Sequence, residues 1–170
     1  MTILISLFKH TRLRRRFVGL QLHRIIWQSS ILCRDVGVHI DGYVAVQATT
    51  MMVQADDSAH ITGKAADVLQ CAETCFEAAL RLIRPGKRIS DVAGPLNQIA
   101  DIYGCNLVDG VMTHNMKQFV IDGNKCILNK PAPDQRVEDA PIEEFEVYAI
   151  DIVVSTGTQG FPSLEIGRSV

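Results

Sequence analysis

The sequence lacks the cysteine pattern of a disulfide-rich protein. It has five cysteines, an odd number, and no two of them form a Cys-x-x-Cys pair. A crosslinked secreted scaffold needs an even set of cysteines, whereas a chain in a reducing compartment keeps its thiols free. We therefore expect reduced cysteines and a location in the cytosol or the nucleus.

Long apolar runs are also missing. No segment approaches the roughly 18 to 20 consecutive apolar residues that a membrane-spanning helix needs. The opening MTILISLF is apolar but stands before the basic residues, whereas a secretory signal places its charge first. The sequence therefore predicts neither a membrane span nor secretion.

Acidic side chains are absent from residues 1–34, which hold seven lysines and arginines, among them Arg12, Arg14, Arg15 and Arg16. The remainder of the chain carries ten basic and 19 acidic residues, a net charge of −9. A basic segment joined to an acidic domain indicates two parts of different character. The two parts are therefore interpreted separately.

The basic segment permits an amphipathic helix, in which Leu13, Phe17, Leu20 and Ile25 lie partly on one side. Three interpretations of it stand. Its composition is typical of a mitochondrial transit peptide, and RLRRR is typical of a nuclear-import or nucleic-acid-binding patch. We favour the third, an extension that arises from an alternative or misjudged gene start.

What the sequence does contain is the composition of one globular domain, with 47% hydrophobic residues in 170. Asp41-Gly42 divides two β-rich runs, which predicts a hairpin with strands at 35–40 and 43–53. Further antiparallel strands are predicted in CNLVDGVMT, KQFVIDGNKCILN and EVYAIDIVVST, the last of them well buried.

Two helices are predicted between these strands. Apolar residues recur at three- and four-residue steps over 62–84, with Thr62 as the cap. In the second helix Ser90 is the expected cap, and Pro95 either begins the regular part, 95–103, or kinks the first turn. The order of strands, two helices and strands predicts an α+β fold with both helices on one face of an antiparallel sheet.

Cys71 and Cys75 lie four residues apart on the first predicted helix and face the same way. That spacing permits a metal-binding pair. We favour two buried small side chains, because no further ligand stands nearby in the sequence.

Four stretches, DVGVHIDGYVAV, ALRLIRPGK, THNMKQFVIDGNK and EVYAIDIVVSTG, together resemble the proliferation-associated, ErbB-receptor-binding protein family. That family is a non-peptidase branch of the methionine aminopeptidase (M24) superfamily with the pita-bread fold. The resemblance implies an incomplete pita-bread domain at 35–157, a basic extension outside the family at 1–34 and a divergent tail at 158–170. Both ends are expected to reflect a truncated or mis-spliced form.

The resemblance also implies where metal ligands would stand. Active type II enzymes of the superfamily hold two divalent cations with two Asp, one His and two Glu. Asp35 matches the first Asp, Val46 the second, His114 the His and Asp151 the first Glu, while Asp122 replaces a substrate-facing histidine. The final Glu has no counterpart in this chain. Loss of a bridging carboxylate ends two-metal hydrolysis, so we expect no catalytic residue and no cofactor.

His114 nevertheless permits one transition metal together with Asp35 or Asp151, because a histidine with carboxylates is a workable ligand set. We favour a histidine whose hydrogen bonds are satisfied within a degenerate pocket. Thr113, where the active enzymes have glycine, is a further departure from the peptidase pattern.

The resemblance implies a catalytically inactive binding and regulatory module in growth-linked processes. It further implies protein partners, and structured RNA or the ribosome, in the cytoplasm and the nucleus or nucleolus. The alternative function is a metal-dependent methionine aminopeptidase, and the alternative location is the mitochondrion. Because the domain is acidic, RNA contacts would have to come from the arginines of RLRRR.

A pita-bread fold has two halves that face each other across a groove. A single half leaves apolar sheet surface uncovered. We therefore expect marginal stability and self-association of this chain.

Overall fold

The computed structural model describes residues 32–53, 60–131 and 135–157, and the backbone of 2–6, 20–22 and 31. The described parts form nine strands and two helices: β1 Thr2–Ser6, β2 Leu20–Leu22, β3 Ile31–Ile40, β4 Tyr43–Met52, α1 Lys64–Leu82, α2 Ser90–Ile102, β5 Asn106–Leu107, β6 Met112–Met116, β7 Cys126–Leu128, β8 Val147–Ala149 and β9 Asp151–Ser155.

The strands form two antiparallel sheets. A main sheet of six strands has the order β2-β3-β4-β1-β9-β5, and a small sheet of three strands has the order β7-β6-β8. The two sheets meet because β8 leads into β9 across the single residue Ile150. The α+β fold class predicted from the sequence is confirmed.

The β3–β4 hairpin forms where the sequence predicts it. Ile40 pairs with Tyr43, so Asp41 and Gly42 are the two turn residues. Their φ angles are 50° and 82°. Glycine adopts such an angle without steric cost and aspartate tolerates it, which explains the tight reversal at this dipeptide.

Helix α1 buries the stripe of small and apolar residues that its three- and four-residue spacing indicates: Val68, Cys71, Ala72, Cys75, Phe76 and Ala79. The predicted capping residue is wrong. Gly63, at φ 66°, occupies the N-cap position, and no side chain caps the helix there. The backbone carbonyl of Gly63 instead accepts the N–H of Asp67 at 3.1 Å.

Helix α2 begins at Ser90, with Ile89 at the N-cap position, and contains Pro95 in its interior. The start at Pro95 and the cap at Ser90 are therefore wrong, and the kink at Pro95 stays a prediction. Proline removes the hydrogen bond to the carbonyl of Asp91, four residues earlier. The first turn survives because Asp139 Oδ1, from a distant loop, accepts the Ser90 N–H at 3.1 Å. A tertiary contact therefore supplies the cap that Ser90 was expected to provide.

Both helices pack on one face of the main sheet. Helix α1 lies against β1 and β9, and α2 lies against α1, β5 and β7. Alternate residues of a strand point to opposite faces, and Ile152 and Val154 of β9 join the helices in one buried cluster. Asp151 and Val153 therefore point to the opposite face.

The described parts of residues 1–34 form strands. The prediction of an amphipathic helix in this segment is therefore wrong at Leu20, which lies in β2. Residues 2–6 of β1 pair along their whole length with 151–155 of β9, and Leu20 of β2 pairs with Val36. Strand pairing with the rest of the sheet overrides the helical pattern because tertiary context outweighs local propensity.

The strand expected in KQFVIDGNKCILN is limited to residues 126–128. Residues 117–125 form a loop, because Asn115 supplies acceptors in place of a neighbouring strand. Its carbonyl accepts the Gly123 N–H at 2.8 Å, and its side-chain Oδ1 accepts the Lys125 N–H at 3.2 Å. Such side-chain bonds compete with regular strand pairing.

Candidate functional site

A cavity of about 550 Å³ opens on the face of the main sheet opposite the helices. Its floor comes from β3, β4 and β9, and its wall comes from the small sheet and the loops at 110–111 and 121–123. Apolar side chains make up much of its lining: Val46, Ala48, Val111, Met112, Ile121 and Val153. The cavity is large enough to receive a side chain or a short segment of a partner.

The five site positions taken from the resemblance line this one cavity. Asp35 on β3 and Val46 on β4 lie on neighbouring strands, His114 on β6, Asp122 in the following loop and Asp151 at the start of β9. The strand register brings Asp35 and Val46 close together, since Asp35 is opposite Ala48 and Val46 is opposite Gly37. Residues from four strands and one loop therefore converge.

His114 lies between two carboxylates. Its Nε2 is 3.6 Å from Asp151 Oδ2, and its Nδ1 is 3.6 Å from Asp122 Oδ1. Its side chain is 16% exposed, and Nδ1 is a buried atom without a hydrogen-bond partner among the described residues. The expected histidine with satisfied hydrogen bonds is therefore wrong for this atom. Both separations exceed hydrogen-bond length, so the three groups are neighbours that do not bond directly.

The backbone of Asp151 is fixed from both sides by buried polar side chains. Its N–H donates to Thr113 Oγ1 at 3.2 Å, and its carbonyl accepts from the Nδ2 of Asn129. Asn97 in turn donates from Nδ2 to the carbonyl of Asn129 at 2.9 Å. These hydrogen bonds connect the backbone of Asp151 to helix α2 through Asn129 and Asn97. The Asp151 side chain lines the cavity.

The role of Asn129 is not predictable from the sequence, because a single asparagine after a short strand is typical of a turn. Thr113 stood out only as a departure from glycine. In the structure the Thr113 hydroxyl accepts the hydrogen bond from the Asp151 N–H. A glycine at this position has no side chain that could accept it.

The residues present do not fit a two-metal centre. A dinuclear site needs carboxylates that bridge the ions. Val46, the position that the resemblance assigns to such a carboxylate, places a hydrocarbon side chain in the cavity floor. Across residues 32–53, 60–131 and 135–157, no group of three or more His, Cys, Asp or Glu side chains is arranged to hold a metal ion.

Cys71 and Cys75 are fully buried in the helix–sheet core, as we expected for structural thiols. Cys105 completes a small thiol cluster with them, and burial, together with the neighbouring Cys71, raises the pKa of the Cys105 thiol to about 11. The hydrogen bond with Cys75, together with burial, likewise raises the pKa of Cys71. The thiols of Cys71 and Cys105 are therefore neutral at pH 7 and poor nucleophiles.

The candidate nucleic-acid contacts Arg12, Arg14, Arg15 and Arg16 lie outside the described residues. Neither described helix has the length and apolar character required to cross a membrane.

Comparison with known proteins identifies the family. The model of metallopeptidase family M24 matches residues 18–161. This chain belongs to the M24 family. The match begins inside the segment that we separated as 1–34, and it includes β2 and all elements from β3 to β9.

Two relatives of this M24 chain carry the names expected from the four sequence stretches. ERBB-3 binding protein 1 of Solanum tuberosum is 49% identical over 140 residues, which cover 82% of this chain and 35% of that protein. Proliferation-associated protein A of Dictyostelium discoideum is 43% identical over 134 residues, 79% of this chain and 35% of that protein. The M24 chain thus spans about a third of the length of these relatives.

A solved structure of a thermophilic Arx1 matches 75% of this M24 chain and 39% of its own, with a TM-score of 0.66 and 22% identity. At that identity the likeness concerns the fold alone. The resemblance inferred from the sequence and the M24 fold class are both confirmed.

Proposed function

We propose that this M24 chain is a catalytically inactive, aminopeptidase-like binding module that acts in growth-linked regulation. The observation that carries the proposal is the cavity floor at Val46, where a side chain without any lone pair lines the same cavity as Asp35 and Asp151. A two-metal hydrolase activates its water between two ions that a carboxylate bridges, and the hydrocarbon side chain of Val46 cannot bridge them. The remaining carboxylates and His114 are then a retained but degenerate site.

The names of the relatives support a binding role. The Solanum protein is named for binding ERBB-3, and the Dictyostelium protein is named for its association with proliferation. By resemblance to that family, protein partners and the ribosome or structured RNA are the proposed contacts, in the cytoplasm and the nucleus or nucleolus. The arginines of residues 12–16 are the proposed contacts for RNA, since the rest of the chain is acidic.

A peptide-cleavage assay tests the loss of catalysis. The purified chain is incubated with methionyl peptides and added cobalt or manganese, and release of methionine is measured. We expect no turnover above that of the His114→Ala variant, because both proteins lack a bridging ligand at position 46. An active M24 methionine aminopeptidase serves as the positive control for the metal and the peptide.

Metal-dependent turnover by the chain, abolished in His114→Ala, would contradict the proposal and establish the aminopeptidase alternative. Asp151→Asn provides a second variant with nearly unchanged side-chain volume. A loss of turnover in both variants, with circular dichroism unchanged, would assign the activity to this cavity.

A further inference from the structure

An exposed apolar patch adjoins the mouth of the cavity. We call it the hairpin–loop patch, and it consists of Tyr43 from the β3–β4 hairpin and Phe119, Val120 and Ile121 from the loop after β6. Phe119 is 77% exposed and Tyr43 is 64% exposed. Single exposed apolar residues are common, but a contiguous group beside a cavity is typical of a binding surface.

The patch is held in a defined conformation. The Phe119 N–H donates to the carbonyl of Gly42 at 2.8 Å, and Gln118 Nε2 donates to the carbonyl of Asp41 at 2.8 Å. Lys117 and Val120 exchange both backbone hydrogen bonds at 2.9 Å. A surface ordered before binding loses less conformational entropy when a partner arrives.

Phe119 combines exposure with backbone strain. Its φ of 61° lies in the left-handed region, which is unfavourable for a residue with a bulky side chain. Its ring lies over Gly42, where an added Cβ would be only 2.3 Å from the ring atom Cδ1. Strained residues that the surrounding structure enforces cluster at binding and switch regions.

The charges around the patch select a cationic partner. Asp41, in the turn before Tyr43, and Asp122, directly after Ile121, are both exposed, and the adjoining cavity adds Asp35 and Asp151. Within residues 41–43 and 117–122, Lys117 is the only basic side chain. This acidic field attracts lysine and arginine and repels phosphate.

We propose that the hairpin–loop patch docks a basic amphipathic peptide segment of a protein partner. Apolar side chains of the segment would cover Phe119 and Tyr43, and a lysine or arginine would lie at the cavity mouth beside Asp122. The inference rests on the proposed binding function and extends it by naming the surface and the chemistry of the partner.

Fluorescence anisotropy with labelled synthetic peptides tests the proposal on the 170-residue chain. The main probe is an amphipathic peptide of lysine, leucine and phenylalanine. Two comparison probes replace lysine by glutamate, or the apolar residues by serine. We expect only the main probe to bind, with its affinity falling as salt is raised.

Three variants locate the binding. Phe119→Ser should weaken the main probe about tenfold or more, because central aromatic residues dominate interfaces. Asp122→Lys should also weaken it and flatten the salt dependence. Ile102→Ser is the matched control, since Ile102 is 82% exposed at the end of α2, on the helix side of the main sheet. It should leave the affinity unchanged, and circular dichroism should show all three variants folded.

Equal binding of the glutamate peptide, or equal weakening by Ile102→Ser, would overturn the proposal. So would a single-stranded RNA probe whose binding is lost in Phe119→Ser, because the acidic patch would then not select protein. If no peptide binds and methionyl peptides still remain uncleaved, the patch proposal fails while the absence of catalysis stands. If the main probe binds but methionyl peptides are cleaved, the patch proposal stands and the proposed absence of catalysis fails.

Discussion

Leu96→Ala is expected to lower the free energy of unfolding by about 3 to 4 kcal/mol, the range for a fully buried leucine whose removal leaves a cavity. Leu96 is 0% exposed and belongs to the cluster formed by α1, α2 and β9. Its backbone carbonyl also accepts a hydrogen bond from the Cys75 thiol at 3.6 Å, so α2 is closely docked on α1 at this point. A loss of that size is a large part of the roughly 5 to 15 kcal/mol that stabilises a typical domain.

Urea unfolding followed by circular dichroism measures this change. Leu80→Ala is the matched control, because it removes the same atoms from an exposed position of α1. We expect the control to cost less than about 1 kcal/mol. Equal losses in the two variants would contradict the helix–sheet packing described above.

Gly123→Ala should destabilise the chain by about 2 to 3 kcal/mol, because overpacking at a site that cannot relax forces the backbone to move. A Cβ at this position would lie 2.0 Å from Asn115 Oδ1 and 2.7 Å from the Asn115 carbonyl oxygen. The added methyl group would also break the Gly123 N–H bond to that carbonyl. Because Gly123 lines the cavity, the change should displace Asp122 from His114.

Thermal unfolding and the NMR signals of the His114 ring report the two effects. Gly94→Ala is the matched control, since Gly94 lies in α2 and an added Cβ there meets nothing within 4 Å. Alanine is the better helix former by about 1 kcal/mol, so this control should be neutral or stabilising. A stable Gly123→Ala protein with unchanged His114 signals would contradict the loop geometry.

Local patterns predicted the elements whose own residues decide their structure. The spacing of apolar residues located α1 to within two residues at each end, and the Asp41-Gly42 step located the hairpin. Elements decided by distant contacts were not predictable in this way. β1 depends on pairing with β9, and the start of α2 depends on Asp139, about fifty positions along the chain.

The candidate site shows the same division. The resemblance located Asp35, Val46, His114, Asp122 and Asp151, and the structure brings all five to one cavity. Two features of the site were not predictable, because they arise only when the two sheets are assembled. His114 lies between two carboxylates, and Asn129 hydrogen-bonds to the backbone of Asp151. The hairpin–loop patch was also not predicted from the sequence, because KQFVI has the apolar composition of a buried strand.

Titration calorimetry of the purified chain with manganese or cobalt tests the central claim most directly, because two-metal hydrolysis needs two bound ions whatever the substrate. The donor set around Val46 predicts that the chain does not bind two equivalents, and that His114→Ala and Asp151→Asn leave the titration unchanged. Binding of two equivalents at micromolar affinity, lost in both variants, would contradict the account.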